Sequence, residues 1–295
     1  MKPAAFEYAR PAELDAACAL LAEGEDVRII AGGQTLVPLM AMRLARPAQL
    51  VDISRIPALA FVREEKDAVT IGATTRQCVA EHDPLVRAKI PLLAKVMPYV
   101  GHAPIRARGT IGGSLANADP AAEIPLVAIT LAATLTYRER GHTGDIPADE
   151  FFLGPMTTAL PAAGCLTSVS FPVWRETRIG VGFHEVSARK SDFAFVSAAA
   201  QIALGDDGTC RRLALGIGAA TAIPLRLDAV ATALAGTRIT EAAARDAVSA
   251  ALAGIEPLAD LHASAGYRRR AAGALALRAI LDAQAAAAAR GAHAG

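Results

Sequence analysis

Apolar residues in this chain recur first at helical and then at strand spacing. Leu14, Cys18 and Leu21 share one face of a predicted helix over Pro11–Leu21, with Pro11 in its first turn and Gly24 as a stop. The β-branched run "VRIIA", Val27–Ala31, predicts a strand, and "LVDIS", Leu50–Ser54, predicts another. Between them "TLVPLMAMRLA" predicts a short helix over Thr35–Leu44, because Pro38 is tolerated near a helix start. Strand, loop, helix, strand implies a βαβ unit with a parallel pair.

The pattern then changes. "LAFVREEKDAVTIGA" is two runs around a charged turn at Glu65–Asp67, which predicts a hairpin. Asp83 can cap a helix that starts at Pro84 and runs towards Val96. Asp119 can cap another, with Pro120 in its first turn and Glu123 favourable to the dipole. Leu126–Tyr137 is mostly apolar and fits helix or strand. A break falls near Pro172–Arg178. Beyond it "GVGFHEVSARKSDFAFVSAAAQIAL" and "CRRLALGIGAA" are rich in strand signals, followed by alanine-rich helices over Thr240–Gly254 and Ser264–Ala289. The terminal "QAAAAARGAHAG" is of low complexity and expected to fray.

Two glycine pairs interrupt these elements. "AGGQT", Ala31–Thr35, follows a strand, and "TIGGS", Thr110–Ser114, follows a basic segment. Without a Cβ, such a turn lets backbone N–H groups converge on an anion, and a following helix adds its positive end. Gly32, Gly33, Gln34 and Thr35 fit that role, as do Thr110, Ile111, Gly112, Gly113 and Ser114; a plain tight turn is the competing reading. Neither pair contains Lys or Arg. Asn117, Asp119 and Glu123 could bind sugar hydroxyls. Phe193 could pack on a flat ring or join the core.

Other nucleotide and catalytic signatures are missing. There is no Walker loop and no complete GxGxxG; "GVGFHE" and "GIGAAT" read as strand glycines. "GGSLA" approaches a nucleophile elbow, but the segment before it is broken by Pro104 and by charges, which disfavours a hydrolase.

Composition narrows the choice. The 295 residues are long for one core, so two domains are expected. Hydrophobic residues at 53% and charged residues at 20% describe a globular protein. A net charge of +1 leaves no basic excess for nucleic acid. The one dense basic run, Arg268–Arg270, reads as a solvated or interface helix face. Cys18, Cys78, Cys165 and Cys210 are too dispersed for a local zinc or iron–sulfur framework, so four reduced thiols and no metal are expected. The N-terminal stretch lacks a signal-peptide pattern. The long uncharged stretch Phe151–Trp174 is broken by Gly and Pro, so no membrane span and a cytoplasmic location are expected.

The two motifs "AGGQTLVPLMAMRLARPAQLVDIS" and "RARGTIGGSLANADPAAEIP", in this order, resemble the FAD-binding medium subunits of the molybdenum hydroxylases. That family includes aerobic carbon monoxide dehydrogenase, quinoline oxidoreductase and, more distantly, xanthine dehydrogenase. "FEYARP", "IGATT", "RKSDFAFV" and "GIEPLADLHASAGYRRRAAG" extend the resemblance over nearly the whole chain. It implies an α+β fold: a two-part FAD-binding domain of the PCMH type over residues 1–176, with subdomains of about 1–57 and 58–176. A smaller domain of antiparallel strands and helices, 177–290, follows it. It also implies that both glycine segments, Ala31–Thr35 and Thr110–Ser114, clamp the FAD diphosphate, with Asn117, Asp119 and Glu123 at further cofactor contacts. Phe193 stands where carbon monoxide dehydrogenase has a tyrosine beside the flavin ring, so only packing is retained there.

The implied role is electron transfer. Substrate would be oxidised at a molybdopterin centre on a large subunit. Electrons would pass through two [2Fe–2S] clusters on a small subunit to FAD here, and then to an external acceptor. A dimer of heterotrimers is the implied assembly, and no general acid or base is expected in this chain. A self-contained flavin oxidase and a non-catalytic nucleotide-binding module are the rival readings.

Overall fold

The computed structural model describes residues 2–291 and shows an α+β chain built on three main sheets. The first is small and parallel, in the spatial order Glu7–Ala9, Gln49–Asp52, Val27–Ile30. Helix Leu14–Glu23 joins its first strand to Val27–Ile30, and helix Leu36–Ala41 leads on to Gln49–Asp52. Ala17, Cys18, Val51, Ile53, Ile56 and Leu59 form a core under it, closed by Cys165 from the next sheet. The expected βαβ unit is therefore present, with Glu7–Ala9 as an extra edge strand. That strand is only three residues long and half exposed, too short to show a period.

The second sheet is antiparallel, in the order Val62–Glu65, Ala68–Gly72, Cys165–Pro172, Thr134–Glu139, His142–Pro147. The expected hairpin turns at Lys66, whose φ is +53°. Between its strands lie short helices that fill the main core with Val86, Leu92, Leu93, Val96, Ile111, Leu115 and Leu126.

The third sheet is antiparallel, in the order Ile179–Ser187, Ala194–Leu204, Cys210–Gly218, Leu225–Arg226. Both of its faces are covered. Helix Ala265–Gly291 lies on one, so close that a Cβ at Gly180 or Gly182 would overlap the Ala283 or Ala279 carbonyl. On the other face, Phe183 and Ala199 join the main core, and Tyr99 meets Phe183 edge-on at 4.8 Å. The glycines of "GVGFHE" and "GIGAAT" are thus strand glycines. They permit helix-on-sheet contact rather than phosphate contact.

Several boundaries differ from expectation. The first helix starts at Leu14, three residues after Pro11, with Glu13 extended as its cap. The helix after the first glycine pair spans only Leu36–Ala41; Arg43, at φ +58°, ends the turn. Asp83 Oδ1 accepts from the Leu85 and Val86 N–H groups as expected. The helix it caps stops at Lys89, and Pro91 restarts a second one to Val96. Leu126–Tyr137 divides into the end of helix Glu123–Thr130 and the start of strand Thr134–Glu139. The chain is helical through Gly291; Ala292–Gly295 lie outside the described residues.

The Arg268–Arg270 run is a solvated face only at Arg269 and Arg270. Arg268 is buried. It donates to the Phe195 and Ala219 carbonyls and to Asp260 at 2.6 Å. Arg269 caps helix Glu241–Ala253 through the Leu252 and Ala253 carbonyls. Helix Ala265–Arg290 is long and apolar enough to cross a membrane by length and composition, yet Ala272, Ala276, Ala279, Ile280 and Ala283 are buried against its own sheet.

Candidate functional site: a cofactor cradle between two glycine segments

Strand Val27–Ile30 ends at the first glycine pair, and the two glycine segments meet there. A Cβ built on Gly32 would stand 2.5 Å from the Arg108 carbonyl oxygen and 2.9 Å from the Gly109 Cα. The Arg76 guanidinium donates to that same Arg108 carbonyl, and Gly109 O accepts from Gln77 N at 2.9 Å, which fixes the second segment in place. Only a residue without a side chain lets the first turn approach this closely.

The first turn is open to a ligand. Gly33 has φ +69°, which reverses the chain, and Gln34 Nε2 closes back on the Gly32 carbonyl at 3.1 Å. Among the described residues, the first N–H beyond Gly32 to return to the backbone is that of Val37, which donates to Gly33 O at 3.1 Å. The N–H groups of Gly32, Gly33, Gln34 and Thr35 are left for an external acceptor, and the Thr35 hydroxyl is exposed beside them. Such a run of free N–H groups is an anion-binding concavity. The six-residue helix that follows adds little dipole; the turn itself is the donor.

The second pair is built differently. The Ile111, Gly112 and Gly113 N–H groups donate to Thr75 O, Ala73 O and Thr110 Oγ1 at 3.0, 2.9 and 3.0 Å, and Ser114 N to Thr110 O at 3.2 Å. These donors are occupied by the protein. Gly112 is buried, and a Cβ there would lie 2.8 Å from Ala73 O. Gly113 is exposed. Thr110 to Ser114 therefore form the capped start of helix Ile111–Asn117, a wall that the glycines keep low, with the Ser114 hydroxyl as its polar group.

Helix Ile111–Asn117 ends at Ala118 in the left-handed conformation, φ +50°. Asp119 caps a turn, accepting from Ala121 N at 2.9 Å, and not the next helix, which begins at Glu123. Glu123 is almost wholly buried. Burial pushes its carboxyl up to about 8, opposed by a bond from its own N–H and reinforced by the nearby Glu185 and Asp119 carboxyls. Burial alone raises Glu185 to about 7, and burial also raises Asp119.

Asn117 and Asp119 are half-buried on the route from the glycines to Glu123, whereas Phe193 lies apart, before strand Ala194–Leu204, and is 69% exposed. It is not core. Sequence reasoning missed Arg76 and Glu185. Arg76 carries no signal in its neighbourhood. Glu185 does, because it continues the alternation of Val181 and Phe183 on an apolar face.

The donor set fits FAD: a turn with free N–H groups for a diphosphate, a polar wall beside it, and carboxyls and an amide for hydroxyls. The comparisons agree. Residues 4–174 match the family described as the FAD binding domain in molybdopterin dehydrogenase, and residues 182–283 match the CO dehydrogenase flavoprotein C-terminal domain. The chain belongs to this family of FAD-binding medium subunits and is an oxidoreductase subunit. Among its relatives is the 6-hydroxypseudooxynicotine dehydrogenase complex subunit alpha of Paenarthrobacter nicotinovorans, 34% identical over 91% of this chain and 90% of that one. The carbon monoxide dehydrogenase medium chain of Hydrogenophaga pseudoflava is 34% identical over 95% and 97%. Quinoline 2-oxidoreductase from Pseudomonas putida 86 superposes with a TM-score of 0.92 at 36% identity, covering 97% and 99%.

Proposed function

We propose that this chain is the electron-transferring medium subunit of a multi-subunit molybdenum hydroxylase. The observation that carries this reading is the seating of Gly32 on Arg108 and Gly109, which sets a turn of free N–H groups beside a second, low-walled segment. Bound non-covalently, FAD supplies a centre that takes up electrons singly or in pairs. The residues Ala31 to Thr35 hold its diphosphate through N–H groups and the Thr35 hydroxyl. Ser114, Asn117, Asp119 and Glu123 line the route away from the diphosphate, and Phe193 walls the ring. No side chain here acts as general acid or base on a substrate.

Electrons enter from a small [2Fe–2S] subunit, fed by a large molybdopterin subunit, and leave to an external acceptor; the assembly is a dimer of heterotrimers. The names of the relatives, a complex subunit and medium chains, support a multi-subunit assembly. The division into 1–176 and 177–290 belongs to the same reading, supported by family matches that end at 174 and resume at 182. Four free cysteines favour a cytoplasmic location. Affinity purification of the tagged chain from its native host tests the reading. We expect FAD, iron and molybdenum to co-elute with two further polypeptides; a chain that elutes alone with its flavin contradicts it.

A further inference from the structure

One ion pair outside the cradle is sheltered on both sides. The Arg106 guanidinium donates through Nε to Glu81 Oε2 at 2.7 Å and through Nη2 to Glu81 Oε1 at 3.2 Å, so its fork meets both carboxylate oxygens. Each side chain is 13% exposed, and among the described residues no other ion pair hides both of its partners so far. Exposed pairs contribute little, whereas a sheltered and forked pair fixes geometry.

The remaining nitrogen carries the pair into the backbone. Arg106 Nη1 donates to Gly101 O at 2.8 Å and to Val100 O at 3.3 Å. Gly101 reverses the chain at φ +52°, and a Cβ there would stand 3.2 Å from the Ile105 side chain. Residues 100–106 therefore close around the guanidinium. Ile105 O in turn accepts from Arg108 N at 3.1 Å and from Gly109 N at 2.6 Å.

Glu81 stands near the end of helix Gln77–His82, and the start of that helix grips the same segment further on. Gln77 N donates to Gly109 O at 2.9 Å, and the Arg76 guanidinium donates to Arg108 O. One helix thus holds the segment at two places, at Arg106 by its end and at Arg108 and Gly109 by its start. The backbone held in this way is the one on which Gly32 is seated.

We propose that Glu81 and Arg106 are positioning residues for the flavin diphosphate. The pair sets where Arg108 and Gly109 stand, and through Gly32 it sets where the free N–H groups of the first turn point. It acts through that backbone and not by touching the cofactor. Hydrogen bonds weaken steeply as donors tilt, so a small shift of the seat costs affinity. Arginine suits the task because one planar fork holds a carboxylate and two carbonyls at once, which a lysine ammonium cannot do in the same geometry. This inference rests on the FAD reading above.

The test reads FAD dissociation constants by fluorescence quenching on the full chain stripped of flavin, at a temperature where circular dichroism shows the variants folded. Under that condition lost stability alone leaves the constant unmoved, and displaced donors raise it. Glu81→Ala and Arg106→Ala should each weaken FAD binding about tenfold. The double variant should be no weaker than either, because the two residues act as one unit. Glu81→Gln and Arg106→Lys, which keep shape or charge without the full fork, should weaken it about threefold and serve where an alanine variant does not fold. Val248→Ala, a truncation in the core under the third sheet, should lower the thermal midpoint and leave the FAD constant at the wild-type value. Unchanged FAD constants in Glu81→Gln and Arg106→Lys would make the pair a plain staple and overturn the inference, with FAD binding intact. An equal loss in Val248→Ala would overturn it as well. A wild-type chain that binds no FAD would overturn the inference and the FAD reading together.

Discussion

Gly32 and Arg108 touch backbone to backbone: a Cβ on the first would stand 2.5 Å from the carbonyl oxygen of the second. The parallel subdomain and the helix-covered antiparallel sheet are joined at this point, so the contact sets the width of the cradle. Gly32→Ala should force the segments apart, because the obstacle is backbone and not a movable side chain. We expect a destabilisation of about 1–3 kcal/mol and loss of most of the flavin. Flavin per chain and denaturant unfolding check it; full occupancy at unchanged stability would show that the cradle does not depend on this contact.

Gly33 and Gly113 should respond differently to the same change. Gly33→Val places a branched residue at φ +69°, at a cost of about 1–3 kcal/mol, and obstructs the free N–H groups. It should abolish flavin binding while circular dichroism shows a folded chain. Gly113→Val meets only Thr110 Oγ1, at 2.7 Å, and endangers a helix cap worth about 1 kcal/mol. Its flavin should be reduced more mildly, through the raised wall. Equal retention in both would reduce the two pairs to ordinary turns.

The flavin-free chain should lose stability as pH rises. Glu123 and Glu185 hold protons in the folded state, with carboxyls up to about 8 and about 7, that the unfolded chain releases near 4.5. Their contribution is complete below 4.5 and is lost as pH climbs through 7 to 8. Thermal midpoints should fall over that window. Glu123→Gln should flatten the fall and raise the midpoint at its alkaline end; a slope unchanged by that substitution would show that Glu123 ionises normally.

Phe193→Ala should change the flavin and spare the fold. The ring is 69% exposed, so little apolar contact is lost. Removing a wall from the flavin ring should shift its reduction potential and quicken its reaction with oxygen, with a thermal midpoint close to the wild type. An unchanged potential would take Phe193 out of the site.

Much of this was legible in the sequence because local rules were obeyed. The βαβ unit followed from β-branched runs at Val27–Ile30 and Leu50–Asp52, and the Asp83 cap followed from its place before Pro84. Helix ends were read less well, since Pro11, Pro91 and Pro120 each stand where a proline allows either a start or a stop. The two glycine pairs look alike as text, yet one leaves its N–H groups free and the other spends them on Ala73, Thr75 and Thr110. That difference depends on residues some forty positions away and has no local signature. Arg268 was misread for the same reason: its partners, Phe195 and Ala219, are distant in the chain. Glu185 could have been found, as the one charged residue on the apolar side of its strand.

The central claim is that electrons reach this chain from outside it. Anaerobic absorbance of the bound flavin tests that most directly, with candidate N-heteroaromatic substrates added to the isolated chain and to the chain with its large and small subunits. The account predicts no bleaching in the isolated chain and full bleaching by the correct substrate in the complex. Bleaching of the isolated chain by substrate would contradict it and identify a self-contained oxidase.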